Sequence, residues 1–372
     1  MSWSALANNQ TVSCNNLQDA VNNGVFTLQN TIPVSNKQIN KSEAEYYVYI
    51  NDIAKLNNQL VVKSNLVSNV GTNYITAIDG NPGYIYRSTD GGVSWNALTS
   101  VGSNYWTSIG MSRGGQYQST GGATAVLRTS NNYGATWTPD TDPYQDPYSL
   151  GVSSTGQYQI YAPDFSYVKY SSDYGVTFRN SSTSGQWWYG CVAISGNGQY
   201  ALAAAGGGGS TGYGFVQMST NYGVDFTRIS GAINSSAVDW EACAISNDGM
   251  YQVVCQNGGY SWKSTDYGVT WTQITLIGGT GTWRTACISS TGKYWIIGDY
   301  GHNAYLSSDY GITWSTSSLG ALNFKASAMS TSGQHQYLAV QNGYLYCSSD
   351  YGSSWVAMTS AGSRYWNGIA VK

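Results

Sequence analysis

The chain has 372 residues, with 16 Lys+Arg against 19 Asp+Glu, a formal net charge of −3 and only 9% charged residues. No basic stripe is present to track nucleic acid, and no run of about 18 apolar residues marks a membrane span. There is no CxxC and no Cys/His metal spacing, His302 and His335 as the only histidines exclude a histidine-rich metal site, and no metal or cofactor is expected.

Glycine (45), tyrosine (32) and tryptophan (14) are heavily used. That mixture suits short strands and tight turns more than helices. The opening "MSWSALANNQTVS" lacks a basic and an apolar region, so no signal peptide is expected. Residues 1–65 read as a small module. "NNLQDAVNNG" predicts a short helix capped at Asn15 or Asn16 and ended by Gly24. "SEAEYYVYINDIAKL" predicts a second, with Ser42 and Glu45 at capping-box spacing. A linker, "VVKSNLVSN", follows. The segment is too small for much of a core, so it is expected to dock on the remainder, residues 66–372, or on a partner.

Seven eight-residue boxes then recur. They are STDGGVSW from Ser88, SNNYGATW from Ser130, SSDYGVTF from Ser171, STNYGVDF from Ser219, STDYGVTW from Ser264, SSDYGITW from Ser307 and SSDYGSSW from Ser348. Successive starts are 42, 41, 48, 45, 43 and 41 residues apart. A period in the forties with several short strands per unit marks a propeller. Between boxes come an aromatic-led strand such as "WEACAIS", a turn such as "SNDGMY", and two more strands; a short fourth begins at the end of the box. The first box is preceded by only two strands, "NYITAIDG" and "GYIYRS". The last is followed by an unpaired aromatic-led strand, "RYWNGIAVK". The C-terminal strand is therefore expected to complete the N-terminal sheet and remove the open edges. The fold class expected is all-β: a seven-bladed β-propeller of four-stranded blades, plus the small helical N-terminal module.

The third box position is Asp90, Asn132, Asp173, Asn221, Asp266, Asp309 and Asp350. A side-chain oxygen there can accept bonds from turn amides, and the glycine two residues on permits positive φ. Asparagine keeps that oxygen but cannot act as acid, base or nucleophile, so the box reads as a turn device. "SxDxGxTW" resembles the Asp-box, or BNR, repeat of sialidases, sortilin-type receptors, some glucan hydrolases and a photosystem assembly factor. The resemblance covers about residues 70–372 and implies the fold, while the activities of the family differ. The N-terminal stretch "NLQDAVNNGVFTLQNTIPVSNKQINKSEAEYYVYIN" looks like segments of virion and surface proteins of phages infecting Bacteroidetes. That likeness implies an attachment module.

A sialidase needs three arginines around the substrate carboxylate. Here Arg87, Arg128, Arg179, Arg228 and Arg113 fall away from the usual ligand face, leaving Arg284 and Arg364. Another glycosidase would need two carboxylates about 5–10 Å apart. Loop-face candidates are Asp79, Asp140, Asp142, Asp146, Asp164, Asp239, Glu241 and Asp299, with Asp239, Glu241 and Asp299 the preferred catalytic set.

Each inner strand opens on an aromatic: Trp106, Tyr189, Trp240, Trp283, Phe324 and Trp366, with Tyr148 near the equivalent point of the remaining unit. Such residues either fill space between blades or form a binding rim for sugar or protein. Glu241, Arg284 and Lys325 follow their aromatics directly and would add polar contacts. The loop Ala203 to Gly214 is mobile by composition, and Cys191, Cys243 and Cys287 read as free buried thiols. Together these features predict a non-catalytic display or recognition protein. It would be a phage virion surface component, exposed after cytoplasmic assembly. Its first 65 residues would hold it to neighbouring proteins, and a glycan is a candidate ligand. The alternative is a glycoside hydrolase or lyase acting on surface polysaccharide.

Overall fold

The computed structural model describes residues 74–372 apart from 124, 141–145, 207–213, 232, 234–237 and 276–278, and also the strand backbone at 39–41, 44–48, 50–56 and 59–64. The chain divides into two compact units, Met1–Thr72 and Asn73–Lys372. In the first unit Ile39–Lys41 pairs with Ala44–Val48, and Ile50–Leu56 pairs with Gln59–Ser64, both antiparallel. The helix expected from Ser42 is therefore two strands. Tyr46, Tyr47, Val48, Ile50 and Ile53 favour a pleated strand, which outweighs a capping signal. The helix expected at Asn15–Gly24 lies outside the described residues.

In the second unit the described strands form four-stranded antiparallel meanders. Tyr105–Met111, Pro147–Val152, Tyr189–Ile194, Asp239–Ile245, Gly281–Ile288 and Leu322–Met329 each open one of six such sheets. The remaining sheet joins the two ends of the unit, because Arg364–Val371 pairs with Ile75–Asp79, which pairs onward with Ile85–Ser88. First strands of successive sheets lie side by side in cyclic order, ending with Arg364–Val371 beside Tyr105–Met111. All of this is β-structure, with apolar clusters between neighbouring sheets. One contains Cys191, Leu202 and Val216 of one sheet and Trp240 and Val254 of the next.

The boxes close the third and fourth strands of each sheet. In the box at Ser171, Asp173 Oδ1 accepts from Ser171 Oγ at 2.7 Å and from the Thr177 amide at 2.9 Å, while Oδ2 accepts from Thr177 Oγ1 at 2.6 Å. Ser171 Oγ in turn accepts from the Gly175 amide at 3.0 Å. Asn132 reproduces this: Oδ1 accepts from Ser130 Oγ and the Thr136 amide, and its Nδ2 donates to Thr136 Oγ1 at 2.7 Å. In the box with Asn221 the carboxylate has moved to Asp225, which accepts from Asn221 Nδ2 at 2.8 Å. Where the box ends in tryptophan, the indole N–H donates to the carbonyl of the box glycine at 3.0 to 3.2 Å.

Positive φ is not confined to the glycine. Tyr133, Tyr174, Tyr222, Tyr267, Tyr310 and Tyr351 also adopt it, at 60–66°. A non-glycine residue there costs about 1–2 kcal/mol. Each of these tyrosines lies against a tyrosine of the preceding sheet: Tyr74, Tyr117, Tyr158, Tyr200, Tyr251 and Tyr294, with ring centroids 4.4–5.3 Å apart. Such a contact contributes about 0.5–1.5 kcal/mol beyond burial, enough to offset most of the backbone cost. At the remaining junction the box has Gly91 instead, and His335 stands where the preceding sheet would supply its tyrosine.

Asp173→Asn is expected to change unfolding free energy by less than about 0.5 kcal/mol, whereas Asp173→Ala should cost about 1 kcal/mol in urea denaturation. The box aspartates also set an acid limit. Hydrogen bonds from Ser94 hold Asp90 down at about 2, and Asp350 is held at about 2 by Ser354. Asp173, Asp266 and Asp309 are lowered too: burial acts to raise them, but their turn hydrogen bonds prevail. Because the folded values lie below the unfolded carboxylate value near 3.9, this stabilisation is complete above that pH and is lost as pH falls toward about 2. Asp79, Asp164 and Asp299, raised by burial, act in the opposite sense at higher pH. The urea midpoint should fall between about pH 4 and 2, less steeply in Asp173→Asn.

Candidate functional site

The aromatic residues expected to form a rim are buried. Tyr189, Trp240, Phe324 and Trp366 are 0% exposed, and Trp106 and Trp283 1%. Each fills the gap between its own sheet and the preceding one. Trp106 Nε1 donates to Gly83 O of the preceding sheet at 3.0 Å, and Trp283 Nε1 to Gly259 O at 2.7 Å. Tyr189 accepts from Gln217 Nε2 at 2.9 Å and donates to Ser184 O, and burial pushes its hydroxyl well up. These six side chains cannot meet a ligand. Tyr148, 37% exposed, is not their equivalent: Pro147 holds that register position.

Immediately after this position every first strand loses register by one residue. The shifts fall between Trp106 and Ser108, Pro147 and Ser149, Tyr189 and Cys191, Trp240 and Ala242, Trp283 and Thr285, Phe324 and Ala326, and Trp366 and Gly368. Two residues thus face one, which defines a bulge and re-aims the extra side chain. Just ahead of the bulge some of these strands also pair with the second strand of the preceding sheet, as Thr282 does with Asn257 and Asn323 with Tyr300. The extra residues are Thr107, Tyr148, Gly190, Glu241, Arg284, Lys325 and Asn367, so each sheet places one at the same level of the inner wall.

Three of these positions serve the next sheet. Thr107 Oγ1 donates to Pro147 O at 2.6 Å, and Asn367 Nδ2 to Trp106 O at 2.8 Å. A Cβ on Gly190 would lie 1.9 Å from Trp240 O. The three charged residues behave differently. Arg284 Nη1 lies 2.6 Å from Glu241 Oε1, with the side chains 27% and 16% exposed. Lys325 is half-buried; burial pushes its ammonium down, Glu241 opposes this and Arg284 adds to it.

The preferred catalytic set comes from two adjacent sheets. Glu241 is paired to Arg284. Asp299 accepts from the Thr282 amide at 2.8 Å and lies 3.5 Å from His302 Nδ1. Asp239 stands opposite Asn257, in the adjacent sheet to Asp299. Asp142 lies outside the described residues. Burial and then Asp146 raise the Asp164 carboxyl, and burial, followed by Asp164 and Asp146, raises the Tyr148 hydroxyl. Asp79 shares a cavity of about 320 Å³ with Asn81, Asn342, Ser363, Arg364 and Tyr365.

The opposite end of the first strands forms a second cavity, of about 220 Å³, which the sequence reading missed. Met111, Val152, Ile194, Ile245, Ile288, Met329 and Val371, one from each sheet, make its apolar collar. Their signal was the apolar residue closing each aromatic-led strand. Below them, turns of successive sheets are joined by backbone bonds, such as Ser154 N to Gly196 O at 2.8 Å and Asn247 N to Ser290 O at 3.1 Å. Among the described residues no group of three or more His, Cys, Asp or Glu could hold a metal. Cys191, Cys243, Cys255, Cys287 and Cys347 are free thiols.

No protein-family model and no curated protein matches the chain. Among solved structures, YCF48 bound to D1 peptide aligns with a TM-score of 0.50 at 14% identity, covering 68% of this chain and 81% of that one. The GH74 xyloglucanase of Xanthomonas campestris aligns with a TM-score of 0.59 at 13% identity, over 81% of this chain and 52% of the enzyme. This chain therefore spans about half of that enzyme. Both are β-propellers, and the likeness shows that fold here. Identity this low carries no activity across.

Trp240→Ala should lower unfolding free energy by about 3–5 kcal/mol in chemical denaturation, the scale of a lost core aromatic. A rim residue would show almost no change.

Proposed function

We propose that the chain is a non-catalytic display or recognition protein. In this reading it is a seven-bladed β-propeller that presents one face to a glycan or protein, while residues 1–65 fix it to a larger assembly, a phage particle. Seven boxes, sheets of four strands and first strands in cyclic contact support the blade count.

The observation that carries the non-catalytic reading is where the carboxylates go. Box aspartates accept bonds within their own turns. Of the expected catalytic set, Glu241 neutralises an arginine and Asp299 holds a backbone amide. Low charge and a composition rich in Tyr, Gly, Asn and Ser suit a particle component. One structural neighbour was solved with a peptide bound, which is in keeping with a protein partner. The second reading is a glycoside hydrolase or lyase acting on surface polysaccharide through loop-face carboxylates, among which Asp164 is raised by burial and then by Asp146.

A chain lacking residues 1–65 should give the β-rich circular dichroism and cooperative melting of the full chain. It should be missing from native particles separated by gradient sedimentation. Entry of the shortened chain into particles would refute the attachment role. Release of reducing ends from host polysaccharide, abolished by Asp164→Asn, would establish the hydrolase instead.

A further inference from the structure

The ring of bulge residues contains an imbalance. Arg284 and Lys325 bring two positive charges to one level of the inner wall, and Glu241 brings one negative charge that is already in contact with Arg284. These three stand at the same position of three successive sheets whose first strands lie side by side. No other carboxylate acts on Lys325 among the described residues. A half-buried cation without its own counter-charge is costly, and an anion delivered from solution removes that cost.

The neutral members of the ring narrow the chemistry. Thr107 and Asn367 donate to backbone carbonyls, yet the Thr107 hydroxyl oxygen and the Asn367 amide oxygen keep acceptor capacity. Tyr148 offers a partly exposed ring, its hydroxyl turned to the side of Asp164 and Asp146 and away from the two cations. Gly190 places no side chain in the ring at all. A site with a guanidinium, an ammonium, several hydroxyl or amide oxygens and one aromatic face suits an anion that also carries hydroxyl donors.

We propose that this ring binds the carboxylate of an acidic sugar, a hexuronate residue. The guanidinium of Arg284, steadied by Glu241, and the ammonium of Lys325 receive the carboxylate, and the neutral ring members meet its hydroxyls. Arg284 fits because its planar fork keeps donors beyond the one turned to Glu241. This assignment rests on the recognition reading above and names the ligand class of its face.

The test uses the full chain and two probes, methyl glucuronide and methyl glucoside, followed by ligand-observed NMR titration. The glucuronide should bind at least about tenfold tighter than the glucoside, the scale of one charged hydrogen bond. Lys325→Met, which keeps the length of the side chain, should remove that preference while the circular dichroism spectrum is retained. Equal binding of the two sugars by the unaltered chain overturns the site without any variant. So does an undiminished preference in a folded Lys325→Met chain. A short acidic peptide that binds through Lys325 while the glucuronide does not would overturn the sugar assignment. Sugar preference is read on isolated protein, so failure of particle attachment leaves it standing, and its own failure leaves attachment untouched.

Discussion

The side-chain oxygen at the third position of each box is the contact on which the sheets depend. It accepts from the box serine and from the amide four residues on, so a reversal with two successive residues at positive φ is held from inside. Without that oxygen the exposed turn amide would turn to water, and the reversal would lose the bond that fixes its shape. The atom needed is an oxygen acceptor, and charge is secondary. Asn132 and Asn221 keep the same bonds, and at Asn221 the carboxylate is simply relocated to Asp225.

Holding the reversal places tyrosine in a backbone region it does not favour, and the same geometry aims its ring at the preceding sheet. The strain of one sheet is thereby offset by a contact with another, which couples adjacent hairpins around the periphery. At the inner wall the coupling is made by buried aromatics and by turn-to-turn backbone bonds. The junction of Gly91 with His335 lacks both tyrosines. It is also the junction beside the sheet that joins the two ends of the second unit. There glycine needs no compensation for positive φ, so the two departures are consistent with each other.

Repeat spacing, the four-strand rhythm and the pairing of Arg364–Val371 with Ile75–Asp79 were legible because each depends on local composition and on counting. The strands after Ser42 were misread because a cap signal was weighed above a run of Tyr, Val and Ile. The box tyrosine's backbone was not legible either. Positive φ was assigned to glycine alone, and the compensating ring lies about 40 residues away in the chain, as Tyr158 does from Tyr222. The bulge was invisible for a related reason. Alternation counted from Trp240 puts Glu241 on the opposite face from Trp240 and Ala242, but cannot show that one residue of the pair has no partner across the ladder. That single slip turns "aromatic then charge" from a rim into a buried plug beside an inward-aimed charge.

Repetition inside one chain also separates what the fold requires from what it leaves open. Positions bound by the turn vary little: serine is constant at the first, glycine at the fifth, and the third is always Asp or Asn. The bulge position, in the same seven units, is Thr, Tyr, Gly, Glu, Arg, Lys and Asn. The backbone shift is present at all seven, so the shift itself does not demand any one side chain. At Thr107, Gly190 and Asn367 the residue still answers to the carbonyl of the next sheet. Glu241, Arg284 and Lys325 are adjacent in the ring, carry charge in a chain with little of it, and interact with one another electrostatically. A ring-building constraint would have made them alike. Their difference from the other units, at a position the fold leaves free, is what directs attention to the axis and away from the boxes.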